Sequence, residues 1–463
     1  MSLLIKNGTV VTASDIYKGD IYIEDGIIKE IGINIIKDAN EIIDAKNKYV
    51  IPGGVDVHTH FNLDVGIAVA NDDFYTGTVA AACGGTTTIV DHMGFGPKGC
   101  NLKHQIDVYH SYAKEKSVID YSFHGVIQNV NDDILSEMEK IVEEEGIPSF
   151  KFYLTYDYII DDEGVLKVLK KLKELNGMTT IHCENHGSIK YLKEEYVKAG
   201  LKTPMYHCLS RPIQSEAEAV NRMINIASIA KNAPLYIVHL SSGLALDYIK
   251  MANERGQKVF AETCPQYLTL DESKYNIPNN EGLKYIMSPP LREKKNCTAL
   301  WKGINDGYIQ TIATDHCPFS FNKDKQIGKD DFSKCPNGAP GVEERIPIIF
   351  SEGVMKGKIS LNKFVDLCCT KPAKLFGLYP KKGAIQLGSD GDIVILDPDK
   401  KVTITSSNMH SNVDYSIYEG MKVKGYPIIT ISRGKIIVRD SKFIGEKGYG
   451  KFIKRSRINI CNL

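Results

Sequence analysis

Between about residues 51 and 380, short runs of β-branched residues alternate with longer stretches whose apolar positions follow a helical period. Eight of these runs have the length of a buried strand: residues 55–57, 87–90, 122–126, 150–153, 179–182, 235–239, 258–261 and 311–314. Amphipathic stretches such as residues 162–175 and 215–231 lie between them. Eight strand–helix units in about 330 residues predict an α/β fold with a (β/α)8 TIM-like barrel. A doubly wound parallel sheet is the alternative that this pattern leaves open.

The two ends of the chain carry a different pattern, in which short β-rich runs flank tight-turn dipeptides. Asn7-Gly8, Asp25-Gly26 and Arg433-Gly434 each stand between two such runs, and each pair predicts a hairpin. Because both ends have this composition, we expect residues 1–50 and about 384–463 to form one small β-sandwich domain with a C-terminal arm. The catalytic barrel would then span residues 51–383.

The composition is that of an ordinary globular protein, with 43% hydrophobic and 25% charged residues. Lys plus Arg and Asp plus Glu number 57 each, so the net charge is zero and a broad nucleic-acid-binding surface is not expected. The sequence has no apolar run of about 18 residues, and residues 1–6 lack the features of an export signal, so we expect a cytoplasmic protein without a membrane span. The 11 cysteines include no Cys-x-x-Cys pair, which disfavours a zinc finger and indicates reduced core residues.

Side chains that can bind metal ions stand at or near the ends of five predicted barrel strands. They are His58, His60, Lys151, His182, His239 and Asp315. Because the parallel strands of a barrel all end on one face, we expect these residues to converge there. His58 and His60 are two positions apart on a strand and therefore point to the same side. Imidazole and carboxylate groups suit divalent ions such as zinc and manganese, so the pattern predicts a metal site.

Seven short motifs accompany these residues along the chain. They are IPGGVDVHTH (residues 51–60), DDF (72–74), GGTTT (84–88), SFKFY (149–153), SPPLR (288–292), ATDHC (313–317) and PNG (336–338). In this order they resemble the amidohydrolase superfamily and, within it, the dihydropyrimidinase and hydantoinase family of cyclic amidases. NLDVGIA (62–68) and DHMGFGPKGC (91–100) are similar to segments of the bacterial D-phenylhydantoinase subgroup. The resemblance covers nearly the whole chain.

The resemblance implies a centre with two divalent metal ions, expected to be zinc, with manganese or others as alternatives. His58, His60 and Asp315 would hold one ion, and His182 and His239 the other. Lys151 would bridge both as N6-carboxylysine, the carbamate that its amine forms with CO₂. An ammonium has no lone pair for a metal, whereas a neutral amine, which burial beside cations favours, can form this anion. The other interpretation of Lys151 is a buried lysine in a salt bridge.

The implied activity is hydrolysis of the cyclic amide bond of 5-substituted hydantoins, expected to be aromatic D-isomers, to N-carbamoyl amino acids. Asp315 would take the proton of the attacking water and pass it to the leaving nitrogen. Tyr156 would hydrogen-bond the developing oxyanion, and the backbones of Ser288 and Asn337 would bind the ring. Otherwise Tyr156 is a half-buried aromatic residue at the barrel mouth. The partners implied are a small-molecule substrate and, as a homotetramer or homodimer, further copies of the chain.

Other functions remain as alternatives. Dihydropyrimidinase would use the same metal ions on the six-membered rings of dihydrouracil and dihydrothymine, and allantoinase is a weaker possibility. A non-catalytic relative that serves as an assembly scaffold is disfavoured because such proteins lose ligands at the strand ends, and all six are present here.

Loops over the barrel mouth are expected to determine specificity. The candidates are residues 62–71, 93–101 and 153–161, in which Leu63, Phe95 and Tyr158 could form an apolar pocket for an aromatic substituent. His92 and His316 are expected to support the site or to be structural, and Cys183 and Cys317 to pack rather than to act as nucleophiles. His186 could face the cleft.

Overall fold

The structure is a computed structural model that describes residues 2–458, and its strands form two sheets. The strands are β1 (Ser2–Val11), β2 (Ile16–Glu24), β3 (Ile27–Gly32), β4 (Glu41–Asp44), β5 (Tyr49–Pro52), β6 (Gly54–Thr59), β7 (Thr86–His92), β8 (Asp120–Val126), β9 (Ser149–Tyr153), β10 (Met178–His182), β11 (Leu235–Ile237), β12 (Val259–Thr263), β13 (Thr311–Ile312), β14 (Ile393–Thr403), β15 (Lys422–Ser432), β16 (Lys435–Arg439) and β17 (Lys442–Phe443). One sheet is a parallel barrel, and the other is built from both ends of the chain.

The barrel consists of the eight parallel strands β6 to β13, each hydrogen-bonded to the next along the chain. The first and last strands close the ring, since Asp315 N donates to His58 O over 2.8 Å and His60 N to His316 O over 2.9 Å. All eight strand predictions are confirmed, and the closure rules out the doubly wound sheet. The strands are buried on both faces, so they show no regular alternation of buried and exposed positions, and their polar residues are buried together with the apolar ones.

Helices cover the outside of the barrel and its connecting loops. They are α1 (Thr76–Cys83), α2 (Leu102–Ala113), α3 (Asp132–Lys140), α4 (Asp162–Glu174), α5 (His186–Lys198), α6 (Met205–Leu209), α7 (Ile213–Ile229), α8 (Gly243–Glu254), α9 (Pro265–Thr269), α10 (Lys294–Asn305), α11 (Arg345–Ile349), α12 (Leu361–Val365) and α13 (Lys371–Leu375). Side-chain oxygens of Asn101, Asn131, Asp161, Asn185 and Ser242 accept hydrogen bonds at the starts of α2, α3, α4, α5 and α8, which fixes where those helices begin. Within residues 2–458, no helix combines the length and apolarity that crossing a bilayer requires.

The second sheet has nine strands in the order β17-β16-β15-β14-β5-β1-β2-β3, with β4 pairing to β1. One hydrophobic cluster joins its two halves, since Ile5 and Ile23 from the beginning of the chain pack with Ile393 and Ile431 from the end. The sheet therefore folds over a core that neither end of the chain could make alone. The predicted fold class, a TIM-like barrel with a small β domain from both chain ends, is confirmed.

One predicted hairpin is wrong. Asn7-Gly8 does not turn the chain, because β1 runs on through it from Ser2 to Val11 and pairs with β2 along its whole length. The dipeptide forms a β-bulge instead, with Asn7 at a φ of 62°. Gly8 is needed for close packing, since a Cβ there would lie 2.4 Å from Cγ2 of Val50 on the neighbouring β5. The hairpins predicted at Asp25-Gly26 and Arg433-Gly434 are confirmed, with positive φ at both residues of each pair.

The described part of the C-terminal arm packs on its own barrel. Phe452 forms a parallel bridge with Tyr121 of β8. Arg455 enters the amino end of the barrel, where it donates to Oγ of Ser122 over 2.9 Å and Oγ of Ser149 over 2.8 Å. Residues 459–463 of the predicted arm, with Cys461, lie outside the described residues.

A buried ion cluster ties the barrel to the chain-end sheet. Nζ of Lys382 lies 2.5 Å from Asp120, the first residue of β8, and 2.8 Å from both Asp390 and Asp392 before β14. Arg433 approaches the same Asp120 carboxylate to 3.1 Å. Burial alone would lower the pKa of Lys382, but the three carboxylates reverse this and hold the pKa above its usual value.

Removing this ammonium is expected to destabilise the protein strongly. Lys382→Met removes the cation that the three buried carboxylates share and leaves only Arg433 beside Asp120, at a cost of about 3–5 kcal/mol in the free energy of unfolding. Denaturant titrations followed by circular dichroism measure the loss. The control is Lys381→Met at the exposed neighbouring position, which should move the midpoint little. Equal midpoints for the two variants would show that the cluster does not join the two sheets.

Candidate metal centre and active site

The six predicted metal-binding side chains meet at the carboxyl end of the barrel. His58 lies on β6 and His60 just after it, Lys151 lies on β9, and His182 ends β10. His239 and Asp315 follow β11 and β13 by two and three residues. Five of them, all except His58, line a cavity of about 640 Å³. His58 lies beneath its floor with no exposed surface.

The first group comprises His58, His60 and Asp315. Oδ1 of Asp315 lies 3.1 Å from Nε2 of both His58 and His60, so three donor atoms surround one point. The Asp315 side chain is 15% exposed, which makes its carboxylate the part of this group that solvent or a substrate can reach. Burial alone would raise the pKa of Asp315, but the two histidines hold it well below its usual value, so the group is a carboxylate.

The second group comprises His182 and His239. Nδ1 of His182 lies 2.9 Å from Nε2 of His239, and both rings are almost completely buried. Burial lowers the pKa of both imidazoles, which keeps them neutral with a lone pair available for a metal ion.

Carboxylates behind the histidines set their tautomers. Oε1 of Glu262, on β12, lies 2.6 Å from Nδ1 of His58, and Oε2 of Glu184 lies 2.7 Å from Nε2 of His182. A ring nitrogen that donates its proton to a carboxylate leaves the lone pair on the other nitrogen. In His58 this other nitrogen is Nε2, which faces Asp315, and in His182 it is Nδ1, which faces His239. Glu184 is itself held by Nη1 of Arg211 at 2.5 Å.

Lys151 stands with both groups and has unusual chemistry. Its side chain is 1% exposed, and among the described residues it forms no salt bridge, so the salt-bridge interpretation is wrong. Burial lowers the pKa of Lys151 to about 8, which makes the neutral amine accessible near physiological pH. A neutral amine with no carboxylate partner is free to react or to bind.

The donor set fits metal ions. Nε2 of His58 is buried, makes no hydrogen bond and lies 3.1 Å from the carboxylate of Asp315, so a proton or a metal ion is needed between the two groups. The ligand atoms of His58, His60 and His92 also lie within 4.8 Å of one another. His92 was predicted only to support the site, yet its ring centroid lies 4.2 Å from that of His58 and its Nδ1 has no partner. It therefore belongs to the immediate surroundings of the centre.

The predicted substrate-binding residues line the same cavity. Tyr156, Ser288 and Asn337 all contribute to its wall. Burial raises the pKa of Tyr156, with Arg211 opposing the effect, so the phenol keeps its proton and can donate it in a hydrogen bond. Tyr156 has a φ of 75°, and the Arg211 guanidinium lies 5.7 Å from its ring centroid.

The mouth of the cavity is partly apolar. Leu63, Phe95 and Tyr158, predicted to form a pocket for an aromatic substituent, all line it. The rings of Phe95 and Tyr158 are 4.7 Å apart between centroids and tilted by 53°. An aromatic substituent that enters here would contact the edge or the face of the Phe95 and Tyr158 rings, and both are favourable geometries for aromatic packing.

The remaining candidates make structural contacts or have unreactive thiols, although Cys317 also lines the cavity. His316 is buried and binds Asp72 over 2.9 Å, while its other ring nitrogen accepts from the backbone of Gly341. His186 is partly exposed and lies 3.3 Å from Oγ1 of Thr155. Burial raises the pKa of the Cys183 and Cys317 thiols, which disfavours a nucleophilic thiolate at either position.

Sequence reasoning missed Glu262, Glu184 and Arg211. Glu262 was detectable, because a charged residue in the apolar strand β12 is costly to bury without a partner. Glu184 stands two residues after His182, a spacing that the sequence shows but that many surface pairs share. Arg211 gave no local signal, since its loop between α6 and α7 reaches the site only through the fold.

Three comparisons place the chain among known proteins. The model of the amidohydrolase family matches residues 49–437. A D-phenylhydantoinase of Escherichia coli is 55% identical over 456 residues, which cover 98% of each chain. The crystal structure of dihydropyrimidinase from Brevibacillus agri is 46% identical, with a TM-score of 0.98 over 99% of this chain and 100% of that one. A D-hydantoinase (dihydropyrimidinase) from Thermus sp. is 38% identical, with a TM-score of 0.95 over 98% and 99% of the two chains.

The role of the supporting carboxylate can be tested by neutralising it. Glu262→Gln keeps the shape but removes the charge that faces Nδ1 of His58, and we expect the affinity for metal to fall by about 10- to 100-fold. Competition with a chelator, followed by metal analysis of the protein, measures the change. Glu254→Gln, at an exposed position of α8, is the control. Unchanged affinity in Glu262→Gln would mean that the contact does not tune the ligand.

Proposed function

The chain belongs to the amidohydrolase family, and on that basis we propose that it is a metal-dependent hydrolase of cyclic amides, with 5-substituted hydantoins as substrates. The observation that carries the proposal is the convergence of four imidazoles, one amine and one carboxylate on the face of a barrel cavity. The proteins named D-phenylhydantoinase and D-hydantoinase, to which the chain is similar over nearly its full length, support it.

We assign the metal ligands as follows. His58, His60 and Asp315 would hold one divalent ion, and His182 and His239 would hold the other. Lys151 would serve both groups as a carbamate, which its neutral amine would make by forming a C–N bond to CO₂ and releasing one proton to solvent. The low pKa of Lys151 and its lack of a salt bridge support this modification. Zinc suits the mixture of imidazole and carboxylate, and manganese is the alternative.

When bound, two such ions supply a water of lowered pKa and polarise a carbonyl, which is the chemistry that amide hydrolysis needs near pH 7. Glu262 and Glu184 keep the lone pairs of His58 and His182 directed into the site. These protein groups are fixed before a substrate arrives, so little reorganisation accompanies the reaction.

The chain's own residues handle the proton and the ring. Asp315, ionised and the most accessible of its group, takes a proton from the attacking water and delivers it to the ring nitrogen as the C–N bond breaks. The phenol of Tyr156 donates to the oxygen on which negative charge develops. The backbones of Ser288 and Asn337 hold the amide edge of the ring. Water adds across one amide bond, and the product is an N-carbamoyl amino acid.

The apolar mouth supports a substrate with an aromatic substituent at position 5, and the relative's name supports the D-isomer. The second candidate is dihydropyrimidinase activity. The Brevibacillus agri protein of nearly the same structure carries that name, and the cavity of about 640 Å³ has room for a six-membered ring. A homotetramer, or a homodimer, remains our proposal for the assembly.

A substrate panel tests the proposed function. Purified protein with measured metal content is given D- and L-5-phenylhydantoin, dihydrouracil and allantoin. We expect kcat/KM for D-5-phenylhydantoin to exceed that for dihydrouracil about tenfold or more, because the Phe95 and Tyr158 rings contact the substituent. Faster turnover of dihydrouracil would favour dihydropyrimidinase. Absence of turnover in metal-loaded protein would contradict an enzymatic function.

Lys151→Ala tests the carbamate. Without the bridge we expect activity to fall by at least about 10²- to 10³-fold and most of the bound metal to be lost. Acetate or propionate should restore part of the activity by supplying a carboxylate to the space left by the side chain. Lys170→Ala, at an exposed position of α4, is the control. Full activity of Lys151→Ala without added acid would contradict the bridging role.

A further inference from the structure

A second lysine, Lys325, is completely buried, and its environment differs from that of Lys151. It lies in the loop after β13, at the start of a short 3₁₀ turn (Lys325–Gly328), and has no exposed surface. Nζ donates to three backbone carbonyls, those of Ile286 at 2.7 Å, Pro336 at 2.8 Å and Gly338 at 2.7 Å. An ammonium has three N–H donors, and here each one has a carbonyl acceptor.

The three carbonyls belong to two segments that form the ring-binding wall. Pro336 and Gly338 flank Asn337, and Ile286 lies two residues before Ser288. The segments also contact each other, since Gly338 N donates to Ile286 O over 3.0 Å. Residues 336–338 and Ser288 line the cavity, whereas Lys325 lies behind them. The ammonium thus holds the wall from the side that the substrate does not reach.

The other side of the Asn337 segment is also constrained. Gly338 has a φ of 148°, and a Cβ there would lie 2.3 Å from the carbonyl oxygen of Cys317. The backbone of Cys317 further binds Ala339, with its N donating to Ala339 O over 3.0 Å. The segment is therefore held between the backbone that follows Asp315 and the Lys325 ammonium. Its position relative to the metal-binding residues depends on both contacts.

We propose that Lys325 is a positioning residue that fixes the backbones of Ser288 and Asn337 at the spacing needed to hold the substrate ring. This inference rests on the proposed function and deepens it. A single tetrahedral ammonium reaches three convergent carbonyls, which a planar guanidinium does not do with the same geometry. Lys325 contacts no substrate and no reacting atom, so it acts only through the two segments.

The test uses the metal-loaded full chain and two substitutions of graded effect. Lys325→Gln retains two N–H donors, and Lys325→Met retains the apolar stem but no donor. The control is Ile249→Ala, a cavity-forming change in the buried face of α8 that lowers stability without touching either segment. Each variant is assayed for metal content, melting temperature, KM and kcat with D-5-phenylhydantoin.

We expect KM to rise about tenfold or more in Lys325→Met and by an intermediate factor in Lys325→Gln, with kcat changed about threefold or less and metal content unchanged. The reason is that a loosened ring-binding wall weakens substrate binding, while the residues that handle the metal ions and the proton stay in place. Ile249→Ala should lose stability and keep its KM. A raised KM in the Lys325 variants, together with an unchanged KM in the destabilised Ile249→Ala, separates a positioning role from a general loss of stability.

A KM in Lys325→Gln equal to that of the wild type would overturn the inference, and so would a loss of metal that parallels the loss of activity. If Lys325→Met does not fold, Lys325→Gln decides alone. Failure of the proposed function is distinguishable, because it would appear as absence of turnover in the wild type. In that case calorimetric titration with hydantoin decides about Lys325, and equal dissociation constants for wild type and Lys325→Gln would overturn it.

Discussion

Two carboxylates, that of the buried Glu262 and that of the partly exposed Asp315, contact the two ring nitrogens of His58, and this arrangement favours positive charge at the bottom of the cavity. Burial alone would lower the pKa of His58, yet the two acids raise it to about 9. The neighbouring rings behave oppositely: burial lowers the pKa of His60 to about 4 and also lowers that of His239. A cation at the unpartnered Nε2 of His58 can take the place of the proton there, while the other imidazoles already offer lone pairs.

The barrel could be predicted because each of its strands is marked by a short segment of the sequence. Each strand is a short β-branched run, and the ligands stand where those runs end, so convergence followed from parallel topology alone. The hairpin predicted at Asn7-Gly8 was wrong because the short segment alone does not determine the structure there. An Asn-Gly pair whose Asn has a positive φ occurs both in hairpins and in bulges, and only the neighbouring strand, with Val50 against Gly8, decides between them. Arg211 was missed because its importance depends on Glu184, 27 positions away in the sequence. The position of Glu262 in a buried strand indicated that it needs a partner, but not that this partner is His58, 204 positions away.

The joint between the two sheets shows the same dependence on distant partners. Lys382, Asp390 and Asp392 are close in sequence, but Asp120 comes from the barrel strand β8. The three carboxylates repel one another, and their burial becomes tolerable because the Lys382 ammonium contacts all three and Arg433 contacts Asp120. The cluster brings the start of β14 to the amino end of the barrel, opposite the face that bears the site. The stabilising ion cluster thus lies at the amino ends of the barrel strands, and the candidate active site lies at their carboxyl ends.

The cavity itself is built from two kinds of backbone. The metal-binding residues lie on or just beyond the barrel strands, whose hydrogen-bond ladders fix their mutual distances. Ser288 and Asn337, which we propose to bind the substrate ring, lie on loops that have no ladder of their own. Carbonyls of these loops accept hydrogen bonds from the Lys325 ammonium. Loops can change in sequence without disturbing a barrel. If the proposed function holds, a ring of different size or substituent can therefore be accommodated by altering the loops, while the residues at the strand ends stay the same.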